Sequence, residues 1–321
     1  MELILSFIVN FIITFCIMKF SSKVQNPVRD FVPKTEGEKL KISPFGGMPI
    51  FFSSTLISLF FLEKLESLVI LIPTFLMLTL GALDDFKKIF SKNYRGISAR
   101  FKLVAQSLTT LLTCFICYVY NSNFETINLI LPFYGLFDFK IFLFLSFVIS
   151  YFTFTGTVNA MNLTDGLDGL AGKQALLLLA FLFAIICAVK FDGLNFEITD
   201  LKTIILSFIG ANLAFLVFNT NPAKIFMGDS GSMMFGALIS TVFILLKLEF
   251  MLIFVGFVIF MEAFSVILQV IYFKLTNGKR IFKMSPIHHH FQLSGMKEQK
   301  ITEIAFLITL LICIFFLTSF F

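Results

Sequence analysis

Four clusters of polar residues interrupt an otherwise apolar chain, and each holds groups able to manage charge. The first is Asp84-Asp85, followed by Lys87 and Lys88. Adjacent carboxylates repel each other unless a cation sits close by. The second cluster covers 159–169, where Asn159, Asn162, Asp165 and Asp168 recur at every third position. On a continuing helix this spacing places them roughly on one face. Two Asp-Gly steps, at 165–166 and 168–169, argue that the helix breaks there. In the third cluster, 218–232, Asp229 is bracketed by Gly228, Ser230, Gly231 and Ser232, small residues that let backbone N–H groups approach a phosphate. The fourth is Ser285-Pro286-Ile287-His288-His289-His290, which contains all three histidines of the chain.

Each cluster alone has a plain explanation: a solvated helix end, a tight turn or a polar loop. Together they call for a site. Successive helical residues diverge by about 100°, so the three histidines cannot ligate one ion from a helix, and no cysteine is spaced to complete a zinc site. Carboxylate and amide oxygens without soft ligands suit a hard cation, Mg²⁺ with Mn²⁺ as the alternative. Beside lysines and histidines they describe a site for a diphosphate, and chemistry of the phosphoryl-transfer type involving a lipid.

The elements that must position these clusters follow from composition. Of 321 residues, 58% are hydrophobic and 14% charged, against about 25% charged in an average soluble protein. One soluble core cannot absorb so much apolar surface. The low charge also excludes a disordered chain. The chain is therefore expected to be an all-α polytopic membrane protein. Ten apolar runs mark its spans: 3–18, 42–62, 67–83, 103–124, 141–164, 174–189, 203–223, 230–246, 250–273 and 304–321. Each lies near the roughly 20 residues that cross a bilayer. No run alternates with the period of a barrel strand. The first run has no basic residue before it and no small-residue cleavage site after it, so it reads as a span and not as a signal peptide. The five cysteines lie inside apolar runs and are expected as free thiols. The 47 Phe residues read as lipid-facing bulk.

Lysine and arginine set the orientation. Twenty of the 25 fall in alternate loops, after the first, third, fifth, seventh and ninth spans. The other side has Lys64, Lys140, Lys190, Lys202 and Lys247. The positive-inside rule makes the richer side cytoplasmic, with both termini outside and all four clusters at the cytoplasmic end. Only Glu262 lies well inside a span, whereas a transporter tends to carry ionisable groups at mid-membrane. An enzyme at the membrane surface is therefore the expectation.

Several stretches resemble the polyprenyl-phosphate N-acetylhexosamine-1-phosphate transferase superfamily, and within it the phospho-N-acetylmuramoyl-pentapeptide transferases. They are Leu83-Asp84-Asp85 with 96–102, the stretch 159–171, and the series Glu262, 265–269, 278–282 and 288–291. Two features depart from that branch. The family's Thr-Pro-Thr-Met-Gly-Gly segment reads Ser43-Pro44-Phe45-Gly46-Gly47, with no His before it. The stretch 219–232 is at least as similar to the sister branch that loads N-acetylglucosamine-1-phosphate.

The resemblance implies one integral membrane transferase domain over 1–321, in the bacterial inner membrane. Its partners would be UDP-N-acetylmuramoyl-pentapeptide, undecaprenyl phosphate and membrane lipid, with a homodimer as the assembly and no nucleic acid. Carried over by position, Asp84, Asp85, Asp229 and His288 are the catalytic candidates. Asp229 and Asn162 are candidates for Mg²⁺. Lys88, Lys102, Asn162, Asp165, Asp168, Asn219 and His289 are candidates for binding substrate. Asp84 is expected to align the lipid phosphate more than to deprotonate it, because a phosphate monoester with a second pKa of about 6 is already mostly dianionic at neutral pH.

Overall fold

A computed structural model of the chain describes residues 1–21, 42–91, 96–131, 133–191, 193–195 and 197–320. The basic residues from Lys23 to Lys41, with Lys92 and Arg95, lie outside the described residues.

All ten apolar runs fold as helix, as a medium without water requires of any segment that must bond its own backbone. In order these are α1 (Glu2–Ser21), α2 (Gly47–Phe61), α3 (Leu71–Phe90), α4 (Ala99–Tyr120), α5 (Leu143–Thr164), α6 (Leu170–Ala188), α7 (Ile198–Asn219), α8 (Gly228–Leu245), the pair α9 (Glu249–Val255) and α10 (Phe257–Leu275), and α12 (Glu298–Leu317). The short helix α11 (Ile287–Leu293) carries the histidines. Nine of these segments among the described residues are long and apolar enough to cross a membrane, and α2 is a shorter apolar helix of 15 residues. The chain is a multi-pass membrane protein.

Helix α8 is the axis of the bundle. Its residues from Ser230 to Leu245 are all buried, and α2, α3, α5 and α6 pack around it. Phe235 and Phe243 are fully buried, with the Phe243 ring stacked on Phe181 at 6.4 Å and Phe235 edge-on to Phe208. The outer helices turn residues such as Ile12, Phe60, Leu108 and Leu311 outward, as expected of a surface that meets lipid. Several hydroxyls buried in the bundle bond back to the preceding turn of their own helices. Ser54 Oγ donates to the Ile50 carbonyl at 2.5 Å, and Ser240 Oγ to that of Gly236 at 2.6 Å.

Close contact with α8 depends on missing side chains. A Cβ at Gly81 of α3 would lie 2.2 Å from the Asp229 carbonyl oxygen, and one at Gly47 of α2 would lie 2.2 Å from the Gly231 nitrogen. Backbone approaches this close bring the end of α3 and the start of α2 against the first turn of α8.

Three features differ from the sequence reading. The ninth run breaks at Gly256 into α9 and α10, and Glu262 lies within the continuous helix α10. The second run spends its first five residues, 42–46, outside the helix. A β-hairpin joins α4 to α5: β1 (Thr126–Leu131) pairs antiparallel with β2 (Gly135–Lys140), in a register from Thr126↔Lys140 to Leu131↔Gly135. It lies between the fourth and fifth apolar runs, where hydropathy predicts only a connection, and its β-branched and aromatic residues favour a strand. Gly135, the first residue of β2, has φ +88°, a conformation that glycine adopts without steric cost.

Gly81→Ala should force α3 away from α8. Overpacking of a tight core costs about 1–3 kcal/mol, so thermal unfolding in detergent should begin at a lower temperature, whereas Ala at the exposed helical position Leu83 should leave it nearly unchanged.

Candidate active site

The first turn of α8 gathers carboxylates around it. A helix N-terminus presents unpaired N–H groups and partial positive charge. Asp85 meets that need from α3. Its Oδ1 accepts from the Asp229 N–H at 3.1 Å and its Oδ2 from the Ser230 N–H at 3.0 Å. Asp165, at the end of α5, stands near the Gly228 N–H. The loop at 43–47 holds the same turn from behind. Phe226 N–H donates to the Ser43 carbonyl at 2.8 Å, Gly46 N–H to that of Phe226 at 2.9 Å, and Gly47 N–H to that of Met227 at 3.1 Å. The segment that departs from the family pattern is thus a brace for the α8 start.

Lysines lie among the acids. Lys88, one turn after Asp84, places Nζ 2.6 Å from Asp84 Oδ2 and 3.1 Å from Asp229 Oδ2. Lys102, from the first turn of α4, lies 2.9 Å from Asp229 Oδ2 and 3.7 Å from Asp84 Oδ2. Asp84 Oδ1 accepts the Ile97 N–H at 2.8 Å, which pins the approach to α4. Asp84 is buried, while Lys88, Lys102 and Asp229 keep 28%, 23% and 19% of their side-chain surface. A ligand arriving at this end therefore meets two ammonium groups and the Asp229 carboxylate.

The loop between α5 and α6 forms a second wall. Asn162 donates its amide to Ser232 Oγ at 3.1 Å, so its carbonyl oxygen is the atom left for an incoming group. Half-buried Asp165 feels the whole cluster. Burial pushes its carboxyl up to about 8, and Asp229 and Asp85 push the same way. Asp168 and Asn219 turn mainly toward protein. Asp168 Oδ2 accepts from Asn221 Nδ2 at 3.1 Å and the Ala223 N–H at 3.0 Å, and Asn219 Oδ1 accepts the Gly169 N–H at 3.1 Å. They tie the start of α6 to the end of α7. Asn159 pairs with Gln106 of α4.

Sequence reasoning noted Glu262 only as a charge within an apolar run and as part of the resemblance. The structure puts it under His288. Glu262 Oε2 lies 2.9 Å from His288 Nδ1 and also faces the His288 N–H at 3.3 Å, with both side chains buried. The other ring nitrogen, Nε2, has no hydrogen-bond partner among the described residues and faces Gly166, where a Cβ would lie 2.2 Å from it. Gly166 therefore lets the imidazole reach the residue next to Asp165. The remaining histidines diverge. His289 Nδ1 contacts Gln292 at 3.1 Å, and His290 Nδ1 accepts the Lys283 N–H at 3.1 Å. The His288 and His289 rings lie 4.2 Å apart, and His289 lines a cavity of about 580 Å³ with Lys274, Arg280 and Lys283. Gln269 shapes this edge by accepting the Ile281 and Phe282 N–H groups at 3.1 and 3.0 Å.

The donor set can be tested against a divalent cation. Among the described residues no three His, Cys, Asp or Glu side chains form a ready cage. The oxygen donors near α8 are Asp229, Asp165 and the Asn162 carbonyl. Such a sparse, all-oxygen set fits Mg²⁺, which keeps several waters and takes further ligands from substrate phosphates.

A pH dependence follows. Asp165 at about 8, against an ordinary 3.8, gives the folded chain a proton that the unfolded chain has already lost. Stability from this group is full below the ordinary value and is lost as pH rises through the folded one. With chelator present, the unfolding midpoint of the wild type should fall between about pH 4 and pH 8, and Asp165→Asn should flatten that slope. Identical slopes would show that Asp165 does not carry it.

Comparison with known proteins identifies the family. Residues 67–247 match the model of glycosyl transferase family 4. A Nautilia profundicola protein named phospho-N-acetylmuramoyl-pentapeptide-transferase is 40% identical over 321 aligned positions, covering 93% of this chain and 88% of its own. Proteins of the same name from Caldanaerobacter subterraneus (40% identical; 92% of this chain, 88% of theirs) and from a Wolbachia strain of Drosophila simulans (36%; 94% and 92%) align almost end to end. From its matched core and these full-length relatives, the chain belongs to glycosyl transferase family 4, in the group that contains the phospho-N-acetylmuramoyl-pentapeptide-transferases.

Proposed function

We propose that the chain transfers phospho-N-acetylmuramoyl-pentapeptide from its UDP-linked donor to undecaprenyl phosphate, releasing UMP. The observation that carries the reading is the meeting of Asp84, Lys88, Lys102, Asp165 and Asp229 around one helix start, with His288 against the neighbouring glycine. Full-length relatives named for this reaction support it.

In the reaction an oxygen of the lipid phosphate bonds to the sugar-bearing phosphorus of the donor, and the anhydride bond to UMP breaks. One anhydride replaces another, so the main obstacle is the approach of two anions. Lys88 and Lys102 receive the phosphate charge. Asp84 holds both lysines and aligns the attacking phosphate. Asp85 keeps the start of α8 in place, so that its carboxylate acts through position. Asn162 and Asp165 form the wall on the nucleotide side, Asp168 and Asn219 brace it through their bonds to the loop at 221–225 and the start of α6, and His288 and His289 face the diphosphate or its sugar. Mg²⁺ held by Asp229, with Asn162 beside it, would neutralise the diphosphate and the departing UMP. Positioning and electrostatics supply most of the rate in phosphoryl transfer. The positive-inside balance supports placing this end on the cytoplasmic face of the bacterial inner membrane.

Purified chain with undecaprenyl phosphate should release UMP from UDP-N-acetylmuramoyl-pentapeptide and not from UDP-N-acetylglucosamine. The reverse preference would move the chain to the sister activity, and no release from either would end the reading. Asp229→Asn should lower turnover by about 10²–10³-fold, the scale of losing one preorganised electrostatic group, while the variant still folds. EDTA should stop release, and Mg²⁺ or Mn²⁺ should restore it. Turnover that survives chelation would remove the metal from the scheme.

A further inference from the structure

The end of the bundle away from the acid cluster carries five lysines and no arginine. Lys64 is paired with Glu197 at 2.7 Å. Three of the others, Lys140, Lys190 and Lys247, converge on one cavity of about 350 Å³. They come from three separate places: the end of β2, the stretch after α6, and the turn between α8 and α9. Topology does not ask for them, since lysines on the charge-poor side weaken the bias that orients a membrane protein.

The cavity is a built one. Asn121, Asn123 and Asn128 line it with the lysines. Buried Asn121 donates to the Leu245 carbonyl at 2.6 Å and accepts the Asn123 N–H at 2.8 Å. Asn128 donates its side chain to the Leu246 carbonyl at 2.9 Å and its N–H to that of Lys247 at 2.7 Å. The hairpin is thereby fastened to the end of α8. At the floor, buried Lys247 pairs with Glu249 at 2.6 Å and lies 4.3 Å above the Phe124 ring. With that pair cancelled, Lys140 and Lys190 outweigh the one acid in the lining, Asp138. Among the described residues neither of these exposed lysines has an acidic partner. Amide and ammonium groups around a space of this size suit an anion with several oxygens, and phosphate has that chemistry.

The surroundings indicate where the phosphate comes from. Phe133 and Tyr134 at the hairpin tip and Phe142 and Phe144 at the start of α5 are each more than 70% exposed. The exposed Phe rings suit contact with lipid, and Tyr134, with an apolar ring and a polar hydroxyl, is of the type that collects where a protein meets the membrane–water interface. We propose that this cavity holds the phosphate-bearing headgroup of an anionic phospholipid, in the leaflet at the end of the bundle opposite the acid cluster. The proposal is independent of the reaction assigned above.

The test follows thermal unfolding of the detergent-solubilised chain, titrated with phosphatidylglycerol, phosphatidylcholine or inorganic phosphate. Phosphatidylglycerol should raise the wild-type midpoint more than phosphatidylcholine does. In the Lys140→Ala/Lys190→Ala variant its apparent affinity should fall roughly 30-fold, about fivefold for each lysine lost. Lys202→Ala, at the same end but outside the cavity, should titrate as wild type. An unchanged lipid-free midpoint and unchanged UMP release would show that the double variant is folded. An equal response of wild type and double variant, or no preference for phosphatidylglycerol, would overturn the proposal. A rise with inorganic phosphate at matched concentration, lost in the double variant, would assign the cavity to a soluble anion and overturn the lipid assignment.

Discussion

The active end of the bundle depends on the exposed backbone donors of the first turn of α8. That turn packs among α2, α3 and α5 and is only partly open to water. Asp85 takes two of its N–H groups, and Asp165 stands near a third. With these two acids beside the helix start, Asp229 on the same turn brings another. The charge must then be balanced, and Lys88 and Lys102 reach in from α3 and α4 to do so. The site's composition thus follows from a structural need: an unpaired helix start attracts acids, and the acids attract lysines.

The glycines belong to the same constraint. Gly81 and Gly47 let two helices touch the first turns of α8 closely enough for Asp85 to reach the backbone. Gly166 performs a similar service for His288 on the other wall. Packing and chemistry are therefore hard to separate here: a methyl group added at any of these positions would move a charged group as well as a helix.

Much of the fold was legible because hydropathy is a local property. Each apolar run became a helix, and the Asp-Gly steps ended α5 where expected. The four clusters could be recognised by residue type alone. What spacing could not show was which partner each group would choose. Asp168 and Asn219 look like ligand residues in a motif, yet their bonds are to the loop at 221–225 and the start of α6. Glu262 looks like an isolated charge until α11 folds back and sets His288 on it. The hairpin falls between two spans, in a stretch where span hydropathy carries no information about strand pairing. The break at Gly256 carries no proline to announce it.

That break has a mechanical corollary. Asp84, Asp85 and Asp229 belong to tightly meshed helices, whereas Glu262 and His288 lie beyond the discontinuity, on α10 and α11. The imidazole and the acids therefore reach the site from separately supported helices, so a substitution that shifts α10 would move His288 against Gly166 while leaving the first turn of α8 in place.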